Sequence, residues 1–193
     1  MRTAEVLGAD PEAVDPGDRS KAKMVNYGIA YGLSAFGLAD RLQIGQEEAG
    51  AYIDRYFERF PAVKSFIDAT IESAREDGYV ATLMGRRRRI PELRARRQQT
   101  RLLGERLAVN TVIQGTAADI IKVAMVRCQD ALAKQQLDTR LVLQIHDELL
   151  FEGPTAEMDV AGELAQTEMI GAFDLDPRLE VNIGVGKNWL DAK

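Results

Sequence analysis

The sequence predicts an α+β fold, helical through most of its length and carrying a short antiparallel sheet. Apolar residues recur at helical spacing over several stretches, the longest covering residues 100–134. Two β-rich runs, Arg140 to Ile145 and Glu148 to Glu152, flank a polar pair, His146-Asp147, as the arms of a hairpin flank its tip. Gly and Pro punctuate the stretches between them. At 193 residues the chain is one domain or parts of two.

The elements follow in order. Asp15, Pro16, Gly17 and Asp18 form a helix start, with Asp15 as N-cap and Pro16 in the first turn, and the helix runs to about Tyr31. The Gly-rich stretch Gly32 to Gly37 loosens the chain. A second helix is expected from near Gln46 to Arg59, closed by Phe60-Pro61. Val63, Phe66, Ile67, Ile71 and Ala74 mark an amphipathic helix over 61–77, ended by Gly78. Tyr79 to Leu83 and Arg87 to Ile90 can pair around Met84-Gly85. In the long helix, Ile113, Ala117, Ile120, Ile121, Ala124 and Cys128 share an apolar stripe. After the His146-Asp147 hairpin, Thr155 is placed to cap a helix over 156–171, and Leu179 to Val185 alternates as a last strand would.

Composition excludes several classes. A single cysteine, Cys128, allows no intramolecular disulfide framework and no multi-cysteine zinc module. A single histidine, His146, allows no two-histidine metal site. The longest uncharged run, Met24 to Ala39, has sixteen residues and three glycines, too short for a membrane span, so no membrane partner is expected. Acidic residues at Glu5, Asp10, Glu12 and Asp15 occupy the place of a signal peptide's apolar core. Net charge is −5, yet residues 86–106 carry nine arginines against Glu92 and Glu105. That segment attracts polyanions by counterion release. For Arg86 to Arg89 a solvated face and a phosphate site are equally open.

Two polar lines stand on helices. Arg19, Lys23, Tyr27 and Tyr31 are four apart, so two cations and two aromatics follow one face of the first helix. The cations suit a polyphosphate and the aromatics a base or sugar, although the spacing alone favours tyrosines in a core and solvated cations. Arg106, Asn110 and Gln114 repeat the pattern on the polar side of the long helix. Arg binds phosphate, and Asn or Gln can donate to the minor-groove acceptors that nearly every base pair presents. At the hairpin tip, Asp147 is a plausible Mg²⁺ ligand, because magnesium takes one or two protein carboxylates and completes its shell with phosphate and water. No serine or cysteine is placed to make a hydrolase triad with His146.

Arg19-Ser-Lys-Ala-Lys23-Met-Val-Asn-Tyr27-Gly-Ile-Ala-Tyr31-Gly32 resembles motif B of the family A DNA polymerases, the bacterial DNA polymerase I type. Gln144-Ile-His146-Asp147-Glu148 resembles motif C of that family, and Gln114-Gly-Thr-Ala-Ala-Asp119, with Asn110 and Arg106, resembles the segment between them. Tyr56-Phe-Glu-Arg-Phe-Pro61 and Gly186-Lys-Asn-Trp189 extend the likeness from about Ala4 onward.

The resemblance implies a truncated family A polymerase fold, with residues 1–104 as a helical fingers subdomain and 105–193 as the last part of the palm. It implies that Arg19 and Lys23 hold the incoming triphosphate, with Lys23 suited to protonate the leaving pyrophosphate. By the same likeness Tyr27 stacks beside the nucleotide and Tyr31 guards the template base. Asp147 then binds catalytic Mg²⁺ with Glu148 in support, and Arg106, Asn110, Gln114, Gln144 and His146 contact primer or template DNA. Tyr rather than Phe at position 27 is associated in the family with weak rejection of dideoxynucleotides. Equal use of deoxy- and dideoxynucleotides in a competition assay is the expected result, and strong rejection of the latter would refute it.

The family's other metal-binding aspartate belongs to motif A, upstream of motif B, and only eighteen residues precede Arg19. Expected partners are therefore primer-template DNA, deoxynucleoside triphosphates and the missing N-terminal polymerase portion, with a cytoplasmic, nucleoid-associated location. Little synthesis is expected from the isolated chain. A DNA-binding remnant without catalysis is the alternative of different class. Single-subunit RNA polymerases also carry a His-Asp motif C, but Tyr27 is less expected there.

Overall fold

The computed structural model describes residues 16–192, except for the side chains of Pro16, Asp18 and Arg19. The expected Asp15 cap lies outside the described residues. The described residues divide into two compact units between Gly115 and Thr116.

The first unit begins with α1 (Pro16–Ala30), α2 (Ala35–Leu42), α3 (Gln46–Arg59) and α4 (Pro61–Asp77). Three of these follow the sequence reading closely; α2 does not, because a helix forms inside the stretch expected to be loose. Ser34 explains it: its hydroxyl accepts from the Gly37 backbone N–H at 3.3 Å, satisfying one of the donors a helix start leaves open. Leu38 and Ala39 then bury the inner face of α2 against Val25 and Ile29 of α1 and Ala49 and Tyr56 of α3. The Tyr56 hydroxyl donates to Asn26 Oδ1 at 2.8 Å, so its one polar atom is satisfied within this core. Gly78, at φ 77°, ends α4 in the left-handed conformation that glycine adopts without steric cost.

Strands β1 (Tyr79–Ala81) and β2 (Arg87–Arg89) pair antiparallel, Val80 opposite Arg88. Their turn is not the two-residue Met84-Gly85 connection. The Gly85 N–H donates to Thr82 O at 2.9 Å and Gly85 has φ 82°, so Leu83 and Met84 are central and Gly85 is the left-handed residue that follows. A one-turn 3₁₀ segment, Pro91–Arg94, leads to α5 (Gln98–Lys134), inside which the two units divide. Val80, Ile90 and Leu93 close a second core with Ala74 and Ala108. Gly104 is required there: a Cβ on it would lie 2.8 Å from the Leu93 backbone nitrogen.

The second unit holds the rest of α5, β3 (Arg140–Ile145), β4 (Glu148–Glu152) and α6 (Met158–Ile170). The β3–β4 hairpin has the expected limits. Ala124, Cys128, Ala131 and Leu132 are buried on α5, but Ala117 of the expected stripe is exposed. The Cys128 thiol donates to Ala165 O of α6 at 3.8 Å, and burial pushes its pKa up to about 11, which makes it a core group rather than a nucleophile. Thr155 caps nothing; it opens a 3₁₀ turn, Thr155–Glu157, ahead of α6. Residues 179–185 form no strand. Alternation supplies a face but a strand also needs a neighbour for its backbone, and here Gln166 Nε2 of α6 donates to Val181 O at 2.8 Å instead.

The root of the hairpin is tied by Glu157. Its carboxylate accepts from the Thr139 hydroxyl at 2.7 Å and from the backbone N–H groups of Thr139 and Asp138 at 2.9 and 3.2 Å. The Thr139 hydroxyl is the largest influence and holds the Glu157 pKa below the ordinary glutamate value; desolvation opposes it, and the Asp138 and Thr139 backbone donors add smaller lowering effects. A carboxyl whose pKa falls on folding contributes stability above its unfolded value, and the contribution disappears as pH drops through the folded value. In urea titrations, Glu157→Gln is expected to be less stable than wild type at pH 7, with the difference shrinking toward pH 3. A constant difference would separate Glu157 from this titration. At the same root, a Cβ on Gly153 would meet Thr139 Oγ1 at 2.2 Å and Thr139 Cα at 2.7 Å. Gly153→Ala is expected to lower stability by about 1–3 kcal/mol, read from the urea midpoint.

Candidate nucleic-acid interface

In the first unit, α1 buries Ala22, Val25 and Ile29 and turns Lys23 and Tyr27 to solvent. Tyr27 is 55% exposed, so it is not the core residue that its spacing alone favoured. Tyr31, half-buried, lies beyond it, the two rings stacked with centroids 6.5 Å apart and planes 10° from parallel. An exposed aromatic face with an ammonium one turn away can take a base and a phosphate from one ligand. Arg19 is on the same helix, one turn before Lys23, and its side chain lies outside the described set.

The α5 line stands in the same unit. Arg106 and Gln114 are exposed and Asn110 is half-buried. Arg106 packs on Gly32, in the turn that follows α1: a Cβ on Gly32, at φ 73°, would lie 2.8 Å from Arg106 Cγ. The structure thus brings Arg106 beside the Tyr31-Gly32 turn after α1, a proximity that four-residue spacing could not reveal. Asn110 Oδ1 is buried and makes no hydrogen bond among the described residues. Such an atom costs free energy until a donor reaches it, which suits a position completed by a ligand or water.

Arg86 and Arg88, for which solvent and phosphate were equally open, both reach protein partners. Arg88 Nη1 donates to Thr111 Oγ1 at 2.9 Å and Arg86 Nη2 to Gly115 O at 3.0 Å. Arg87 lies over the Tyr79 ring, 4.8 Å from its centroid. Thr111 carries no charge and belongs to none of the family motifs, so the sequence offered no signal for its part.

In the second unit, β3 and β4 present Gln144, His146, Asp147 and Glu148 at one exposed end. Ile145 pairs with Glu148, leaving His146 and Asp147 as the two-residue tip, and His146 carries φ 53°. Gln144 Nε2 donates to His146 O at 2.6 Å and stiffens the turn from the side. A register shift between Leu141 and Leu143 puts a bulge in β3, a device that re-aims the residues beyond it. The Asp147 carboxylate offers the hard oxygen chemistry that Mg²⁺ prefers and is exposed at the tip. It fits one position of a magnesium shell. Among the described residues no three His, Cys, Asp or Glu side chains cluster as a full metal site.

Comparison with known proteins agrees with the motif reading. The model of the family described as DNA polymerase family A matches residues 1–191. The thermostable DNA polymerase I of Thermus thermophilus is 47% identical over 188 residues, 97% of this chain and 22% of that protein. DNA polymerase I of Mycobacterium tuberculosis is 48% identical over 171 residues, 89% of this chain and 19% of that protein. A solved structure of the POL domain of Pol1 from M. smegmatis, in complex with DNA primer-template and dNTP, aligns with a TM-score of 0.94 and 43% identity, covering 98% of this chain and 34% of that one. The chain spans about a fifth of the length of the curated relatives it matches. No helix among the described residues is long and apolar enough to cross a membrane. Fold, motif order and a family match over nearly every residue lead to one conclusion: the chain belongs to DNA polymerase family A.

Proposed function

We propose that this chain is the C-terminal part of a DNA-directed DNA polymerase that extends a primer by phosphoryl transfer from deoxynucleoside triphosphates, acting on chromosomal DNA in the cytoplasm. The observation that carries the reading is the α1 face, where Lys23 and Tyr27 are turned outward over a helix whose other side is buried in a core. Residues 1–104 serve as fingers and 105–193 as the last part of the palm. Arg19 and Lys23 take the triphosphate, Tyr27 stacks on the nucleotide, and Tyr31 occupies the template-base position until the template enters. Arg106, Asn110, Gln114, Gln144 and His146 grip primer and template.

Phosphoryl transfer asks little covalent help of a protein and much charge stabilisation. Mg²⁺, when bound, neutralises the phosphates and lowers the pKa of the attacking hydroxyl. Asp147 is the residue that would hold it, with Glu148 beside it in support. Lys23 carries positive charge to the phosphates and a proton to the leaving pyrophosphate. The second carboxylate of a two-metal site would come from polymerase sequence outside these 193 residues.

Primer extension with Mg²⁺ and four deoxynucleotides, by this chain alone and with the remaining polymerase portion supplied in trans, tests the reading. Synthesis is expected in the mixture and not in either part. Silence in the mixture, with salt-sensitive duplex binding by this chain, would instead identify a DNA-binding remnant.

A further inference from the structure

The nine arginines of residues 86–106 do not form one uniform patch. Arg88 and Arg86 bond to Thr111 and Gly115, which are four residues apart and so form one line along α5. Each immediately follows a residue of the polar line, Asn110 or Gln114, and lies about 100° around the helix from it. Thr111 is buried, and its hydroxyl, while accepting from Arg88, donates to Leu107 O at 2.6 Å. Under Arg86 the hairpin closes through Arg86 N–H to Thr82 Oγ1 at 3.1 Å and Thr82 N–H to Arg86 O at 3.0 Å. Thr82 is itself buried, and a Cβ on Gly115 would fall 2.8 Å from its Cγ2. Hairpin and helix therefore touch with no side chain on Gly115 between them.

A helix gripped at two points one turn apart cannot roll about its axis without breaking both hydrogen bonds. The roll need not be large to matter. A rotation of about 25° moves a polar atom carried roughly 6 Å from the axis by about 2–3 Å, enough to lose a base-edge hydrogen bond. A guanidinium suits this task because its donors form a rigid planar fork.

We infer that Arg86 and Arg88 are positioning residues, a brace that fixes the rotation of α5 and thereby aims Arg106, Asn110 and Gln114 at duplex DNA. This rests on the polymerase reading of that polar line. The competing role for the two arginines is direct phosphate binding, and salt separates the two. Removing an arginine that binds phosphate reduces the slope of log K against log salt by about 0.9, whereas removing a brace weakens binding without changing the slope.

The test uses the 193-residue chain, wild type, Arg88→Met and Thr111→Val, with fluorescence-anisotropy titrations of a primer-template duplex at several salt concentrations. Amide hydrogen exchange is followed over residues 108–116 in each. Thr111→Val keeps every charge and serves as the deciding variant should Arg88→Met not fold. The brace predicts that each variant binds roughly 3- to 30-fold more weakly with an unchanged salt slope, and that exchange over 108–116 accelerates. It also predicts that the double variant binds no more weakly than the weaker single one. Unchanged exchange in Thr111→Val overturns the brace whatever the binding result. So does wild-type affinity in Thr111→Val together with a lowered slope in Arg88→Met. A wild-type chain without salt-sensitive duplex binding overturns the polymerase reading of the polar line, and with it the aiming role of the brace; the exchange result still states whether the two arginines hold α5.

Discussion

Asp147→Ala is expected to reduce primer extension by roughly 10³-fold in a reaction reconstituted from this chain and the remaining polymerase portion, while duplex binding stays within about 3-fold. The cause lies at the hairpin tip. Asp147 is exposed, and the tip is held by Ile145–Glu148 pairing and by the Gln144 side chain on the His146 carbonyl. Truncating an exposed side chain that holds nothing in place costs a fold about 0.5 kcal/mol or less, so stability cannot account for a large kinetic loss. On the proposed reading, what the substitution removes is a hard oxygen ligand. Without it the charge developing between attacking and leaving oxygens is left uncompensated, and a few kcal/mol of transition-state stabilisation is about a thousandfold in rate. Asp147→Asn keeps the shape and loses the negative charge, so it is expected to behave like the alanine variant. Single-turnover extension across a range of Mg²⁺ concentrations is the measurement. Wild-type rates from either variant would remove Asp147 from the metal site.

How much of this is legible in the sequence depends on how local the cause is. Helices α3 and α4 can be bounded because Phe60-Pro61 and Gly78 act on their own neighbours, and the β3–β4 hairpin because its alternation and polar tip lie within thirteen residues. Helix α2 is hidden since eight residues show too little periodicity, and Gly37 within it reads as a breaker; the one local sign is Ser34 ahead of it. The strand expected over 179–185 fails for the opposite reason, since alternation is local but a strand's partner is not. The same division runs through the candidate site. Four-residue spacing on one helix places Lys23, Tyr27 and Tyr31 in line, but whether Tyr27 is core or surface is decided by what α1 packs on, namely Leu38 and Tyr56. For the arginines, the sequence shows the charge and hides its use: Arg88 finds Thr111 across 23 residues and Arg86 finds Gly115 across 29.

Lys23→Ala is expected to raise KM for deoxynucleotides and to lower kcat, by roughly 10²–10⁴ in kcat where the lost function is proton transfer. Lys23 is exposed on α1, and alanine is a strong helix former, so the helix and its buried face survive the change. Two losses then add. A lysine beside a phosphate at an effective dielectric between water's and a protein surface's contributes about 1–4 kcal/mol of attraction, felt in substrate binding. On the proposed reading the departing pyrophosphate also loses a proton donor, felt only in the chemical step. Lys23→Arg separates the two, because guanidinium keeps the charge but holds its proton far too tightly to act as an acid. If Lys23 acts through charge alone, the arginine variant recovers both KM and kcat. If it also donates the proton, KM recovers and kcat remains low.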